Sequence, residues 1–147
     1  QLWLREKGFS YRFLSHVEAP ITFNFQVLVI DQIGYLADAY RYSELAFVGG
    51  SFKSRVHSVM EPLACGLPVF VGPHYQNNPE ALRYSIKPKY IFPAEIAKEL
   101  LEAYKKITSQ NLPALKAEIR NEMQKNKGAT KKIADFIEHN LLKKEDS

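Results

Sequence analysis

A single cysteine, Cys65, stands in a chain of 147 residues. No internal disulfide can form, and a reducing compartment suits the sequence best. No apolar run approaches the roughly 20 residues needed to span a bilayer. The chain opens at Gln1 with neither an initiator methionine nor a basic stretch leading into an apolar one. No signal peptide is therefore expected, and the start reads as a cut within a longer protein. Internal repeats and low-complexity stretches are also lacking. What is present is ordinary for a globular domain: 46% hydrophobic and 24% charged residues, in a length sufficient for one sizeable core.

The formal net charge is +4. Lys116, Lys125, Lys127, Lys131, Lys132, Lys143 and Lys144 crowd the final third, interleaved with glutamates in helical patterns. That arrangement reads as solvated helix faces, with an anionic membrane surface left open as a partner. No zinc-finger or RNA-binding aromatic motif accompanies the lysines, so no nucleic-acid partner is expected. His57 and His74 are not spaced as a metal pair, and Cys65 belongs to a helix. Neither a metal nor a cofactor is expected.

Short apolar runs alternate with helical patterns, the signature of a parallel sheet. Strands are expected at 11–14, 27–30, 45–48, 69–71 and 90–92. The runs at 27–30, 45–48 and 69–71 read as covered on both faces. Helices are expected at the chain start up to Gly8, around 36–40, at 59–65 ended by Gly66 and Pro68, and at 79–84. Ile96, Leu100, Leu101, Tyr104 and Ile107 form one apolar stripe, and Leu112, Leu115, Ile119 and Met123 form another. A last helix after Gly128 carries Ile133, Phe136, Ile137 and Leu141, and residues 143–147 are expected to fray. The expected fold is an α/β, Rossmann-like parallel sheet with helices on both faces and further C-terminal helices.

Ligands of such sheets bind beyond the carboxyl ends of the strands, which points to residues 31–35, 49–61 and 72–80. Gly49-Gly50-Ser51 follows a strand and leaves room for a ligand, as it would for a simple tight turn. Ser58 and Glu61 match a capping box. A helix start there presents unpaired N–H groups suited to phosphate, and His57 offers one more donor. Glu61 either completes the cap or accepts from sugar hydroxyls. Lys53 and Arg55 read either as phosphate neutralisers or as ordinary loop charges. In the third segment Asn77 and Glu80 are the candidates for reading ligand hydroxyls.

These loops resemble a known family, the 3-deoxy-D-manno-octulosonic acid (Kdo) transferases. VLVIDQIGYLADAYRYSELAFVGGSF looks like the family's strand–turn–helix–strand block. HSVMEPLACGLPVFVGPH is similar to the block that follows it, Asn77 and Glu80 match positions after that strand, and Asn126-Lys127-Gly128-Ala129 resembles a motif before the last helix. The resemblance implies a GT-B architecture of two Rossmann-like domains. This chain would be the C-terminal, nucleotide-sugar-binding one over 1–147, without its first strand and without the N-terminal acceptor domain.

It further implies CMP-Kdo as donor and a lipid A precursor as acceptor, at the cytoplasmic face of the bacterial inner membrane. Nucleotide contacts map onto Ile33, Gly34 and Tyr35, and onto Ser58, Val59, Met60 and Glu61. The general base is expected in the other domain, so no catalytic residue is assigned here and the fragment alone should be inactive. Tyr35 stands where the family usually has glutamate, Ser58 where it has asparagine, and Arg55-Val56 where it has two glycines. A GT-B transferase using a UDP- or GDP-sugar, and a non-catalytic nucleotide-binding module, are the rival readings.

Overall fold

The computed structural model describes residues 2–17, 24–126 and 128–140. The expectations for Leu141 and for the frayed end, and the positions of Lys127, Lys143 and Lys144, lie outside the described residues. Two compact units divide the chain, Gln1–Tyr42 and Ser43–Ser147.

In the first unit, helix α1 (Leu2–Glu6) leads into strand β1 (Tyr11–Phe13), a 3-10 turn (Leu14–His16), strand β2 (Val27–Val29) and helix α2 (Leu36–Arg41). The two strands pair in parallel, Arg12 opposite Leu28. Outside the ladder, the Gln26 N–H donates to the Ser10 carbonyl (3.0 Å) and the Ser10 N–H to Gln26 Oε1 (3.1 Å). Covering of β2 on both faces is not what the structure has. Val27 and Val29 are half-buried and Leu28 is exposed.

The second unit carries strands β3 (Ala46–Phe47), β4 (Val69–Val71) and β5 (Ile91–Pro93), all parallel in the order β3-β4-β5. Helix α3 (Met60–Ala64) links β3 to β4, and α4 (Pro79–Ile86) links β4 to β5. Helices α5 (Ala97–Ser109), α6 (Leu112–Lys125) and α7 (Ala129–Asn140) follow. All five expected strands are present and parallel, but as a two-stranded and a three-stranded sheet rather than one.

The middle strand explains where the core lies. Val69, Phe70 and Val71 are fully enclosed, and Leu63, Ala81, Tyr84, Ile91, Ile119 and Met123 are buried with them. Each such large apolar side chain contributes about 1.5–3 kcal/mol on burial. β3 is enclosed on one side only: Ala46 is buried while Phe47 is half exposed and stacks on Phe52, ring centres 6.2 Å apart. The α6 stripe packs as expected, with Ile119 and Met123 buried. Of the α5 stripe only Ile107 is buried, and Ile133, Phe136 and Ile137 of α7 are exposed.

Gly66 lets α3 and α6 approach. At φ +80° it ends α3, its N–H donating to the Leu63 carbonyl (2.8 Å) while that of Leu67 reaches the Pro62 carbonyl (3.0 Å). These two bonds form a Schellman motif, which satisfies carbonyls that a helix end would leave open. A Cβ here would also meet the Arg120 side chain and come 2.7 Å from the Lys116 carbonyl. Only glycine meets both demands.

Candidate functional site

Because β3 and β4 are adjacent and parallel, the loops leaving their carboxyl ends are neighbours. Ser51 joins them. Its Oγ accepts from the Gly72 N–H (2.6 Å), and its carbonyl accepts from the His74 N–H (2.9 Å). The side chain is fully buried, so Ser51 serves the frame of the two loops. Gly72 fits beneath it because a Cβ there would lie 2.7 Å from the Phe52 ring and 3.0 Å from Ser51 Oγ.

The first loop then folds back over its own start. The N–H groups of Lys53 and Ser54 reach the Gly50 carbonyl (3.0 and 3.3 Å), and that of His57 reaches Gly49 (3.1 Å). Gly50, at φ +92°, lies under this fold: a Cβ would strike the Arg55 carbonyl and come 3.0 Å from the His57 ring. The glycine thus seats the histidine. Val56 and Val59 are buried in the core cluster and pin the segment between them.

Between the two loops is an open cavity of about 350 Å³, lined by Arg55, Val56, His57, Ser58, Asn77, Asn78 and Pro79. A second cavity, of about 280 Å³, is lined by Met60, Pro79, Glu80, Arg83, Tyr84 and Asn126. Pro79 is common to both. No carboxylate is among the described residues lining the first cavity. Beside the apolar Val56 and Pro79, its side chains are a guanidinium, an imidazole, a hydroxyl and two amides, all able to donate hydrogen bonds.

The expected capping box at Ser58 and Glu61 is not formed. Val59 is the N-cap of α3, and no side chain caps it. The core explains the shift, since burial of Val59 at 1% exposure fixes where the helix can start. A consequence follows for the main chain. The N–H groups of Ser58, Val59, Met60 and Glu61 donate to no described residue, and Pro62 has none to donate. Val59 can meet a ligand only through this main chain, and Ser58 and Glu61 have exposed side chains free of the cap.

The structure therefore brings His57, Ser58 and Asn77 together on one cavity and Met60 and Glu80 on its neighbour. Ile33, Gly34 and Tyr35 form an exposed turn in the first unit, where Ile33 is wholly solvent-accessible. Nearby, Asp31 accepts from the backbone N–H of Ser15 (3.1 Å) and from its hydroxyl. These bonds hold the Asp31 carboxyl below its usual range, the hydroxyl contributing most. Tyr90, buried with its hydroxyl donating to Glu118 Oε1 (2.9 Å), is pushed well up, by burial first and then by that carboxylate.

Sequence reasoning missed Asn78, which lines the first cavity and caps α4 by accepting from the Ala81 N–H (2.9 Å). Asparagine just before a proline that opens a helix was the available signal. Arg83 and Tyr84 of the second cavity gave none, whereas Asn126 belongs to the motif noted before the last helix. Among the described residues no group of three His, Cys, Asp or Glu is placed to hold a metal. No described helix is long and apolar enough to cross a membrane.

Parallel α/β units with polar loops gathered beyond adjacent strand ends place ligand sites at those ends, and this fold is found in a solved structure. The C-terminal CMP-Kdo binding domain of WaaA from Acinetobacter baumannii superposes with a TM-score of 0.68 at 22% identity, covering 82% of this chain and 64% of that one. In sequence, the chain is 46% identical over 52 residues to a 3-deoxy-D-manno-octulosonic acid transferase of Chlamydophila psittaci, covering 34% of the chain and 12% of that protein. It is 38% identical over 81 residues to one of Chlamydia pneumoniae (54% and 16%), and 35% identical over 100 residues to one of Haemophilus influenzae (67% and 23%). The chain is thus related in sequence to the Kdo transferases. It spans less than a quarter of the length of these three relatives. No family model matches it.

Proposed function

We propose that the chain is the donor-binding, C-terminal domain of a glycosyltransferase that takes CMP-Kdo and passes Kdo to a lipid A precursor in lipopolysaccharide assembly. The observation that carries this reading is the first cavity. No carboxylate is among its described lining residues, Arg55, His57, Ser58, Asn77 and Asn78 can all donate, and from Ser58 onward run four consecutive N–H groups without an acceptor among the described residues. Such a concavity suits a phosphoryl group, whose oxygens only accept. Ile33, Gly34 and Tyr35 serve the nucleotide, and Glu80 and Asn77 serve hydroxyls, in the same reading.

In the transfer, an acceptor hydroxyl loses its proton to a base and attacks the anomeric carbon from the side opposite the phosphate. The bond from that carbon to the phosphate oxygen breaks, and CMP departs with the electron pair. Charge grows on the phosphate as it leaves. His57 and the amides of 58–61 would stabilise that charge without having to reorganise. The base belongs to the N-terminal domain, and the acceptor, a lipid, puts the reaction at the cytoplasmic face of the inner membrane. The protein touches that membrane at its surface or through its N-terminal region.

Calorimetric titration of the protein with CMP, UDP and GDP tests the donor. CMP should bind at least about tenfold more tightly than the other two, a difference of about 1.4 kcal/mol. Preference for UDP or GDP would replace CMP-Kdo by another sugar nucleotide, and absence of binding by all three would overturn the reading.

A further inference from the structure

Kdo is an ulosonic acid, so its anomeric carbon carries a carboxylate as well as the oxygen bonded to phosphorus. A CMP-linked donor therefore presents two anions attached to one carbon. The first cavity offers donors of two kinds to match. Ser58, from which the open N–H groups of 58–61 run on, and the His57 side chain form one set. Arg55 is the other, and among the described lining residues it alone carries a permanent charge.

We propose that Arg55 holds the carboxylate on the donor's anomeric carbon and so selects ulosonic-acid donors over aldose donors. The proposal rests on the CMP-Kdo reading above. Three features of the loop support it. The chain on either side of Arg55 is fixed, by the Ser54 and His57 N–H groups bonding to Gly50 and Gly49 and by buried Val56. The guanidinium forms no ion pair with a described carboxylate. Glu80, one of the two assigned glutamates, lines the other cavity, beyond Pro79. A planar fork of N–H donors fits a planar carboxylate through two parallel bonds, whereas clustered amides suit the tetrahedral phosphate. Neutralising the carboxylate also removes its repulsion from the phosphate on which charge accumulates during bond breaking.

The test compares two ligands that differ by the sugar acid. CMP and freshly prepared CMP-Kdo are titrated calorimetrically into the protein and into its Arg55→Gln and Arg55→Lys variants at one ionic strength. Arg55→Gln should weaken CMP-Kdo about tenfold or more while changing CMP less than about twofold, and Arg55→Lys should fall between. Equal weakening of both ligands would mean that Arg55 serves the phosphate, and an unchanged CMP-Kdo affinity that it serves neither; either result overturns the proposal. Binding of CMP by the unaltered protein keeps the two readings apart. If that binding is present and the split absent, only the role of Arg55 fails. If the unaltered protein binds neither ligand, the donor reading fails and this one with it.

Discussion

Asp31 and Ser51 both depend on serine hydroxyls, with different consequences. Ser51 is enclosed, and its hydroxyl answers an N–H that has no access to water. Asp31 is exposed, so the two bonds from Ser15 act on its protonation more than on stability. Its carboxyl titrates below the ordinary 3.8 in the folded chain. A depressed carboxyl stabilises the fold above its unfolded pKa, and that contribution disappears as pH falls through the folded value. The effect is thus confined to pH below about 4. In Ser15→Ala the main-chain donor remains and the stronger hydroxyl donor is lost, so the Asp31 pKa should rise part of the way back. An NMR titration of the Asp31 carboxyl reads this directly, and an unmoved pKa would show that the hydroxyl bond is not formed in solution. Single residues of this kind were poorly legible in the sequence. Gly-Gly-Ser after a strand has the same appearance whether the serine faces a ligand or, as Ser51 does, clamps a second loop.

Elements were far more legible than their ends. The β-branched runs at 27–30, 45–48 and 69–71 each became a strand, since such runs satisfy both strand propensity and burial. What the runs could not reveal is how many faces are covered, and only β4 is enclosed on both. The α3 boundary departs from the local signal because Ser-x-x-Glu describes a local solution, while the start of this helix is set by Val59 entering the core. Two other helix starts obey the local rule: Asn78 accepts from Ala81 N–H, and Asn111 from Ala114 N–H (3.1 Å). The contrast is measurable. Asn111→Ala should lower unfolding stability by about 1 kcal/mol, whereas Ser58→Ala should change it by less than about 0.5 kcal/mol, because no cap is lost. Denaturant unfolding of both variants settles the point. A Ser58→Ala cost equal to that of Asn111→Ala would restore the capping box.

The whole molecule distributes its burial unevenly, in a way composition could not disclose. Every described residue that is buried lies in the second unit. In the first, Leu2, Trp3, Ile33 and Tyr42 are among the most exposed large apolar side chains, and β1 and β2 form a ladder of three paired positions. Opening such a unit locally exposes little additional apolar surface, so its free energy of opening should lie well below that of the β4 core. Amide hydrogen exchange should therefore separate the two. Val27–Val29 should exchange through local opening, with protection at least about a hundredfold below that of Val69–Val71, equivalent to about 2.7 kcal/mol. Protection of Val27–Val29 equal to that of β4 would mean that one cooperative transition governs both units. CMP gives the same measurement a second use. A ligand held by the loops after β3 and β4 raises protection of the unit that binds it by RT ln(1 + [L]/Kd). If the turn at Ile33, Gly34 and Tyr35 also holds the nucleotide, protection of Val27–Val29 should rise with CMP concentration in step with that of Val69–Val71. A rise confined to the second unit would remove those three residues from the proposed donor site while remaining consistent with Arg55, His57 and Ser58 in it.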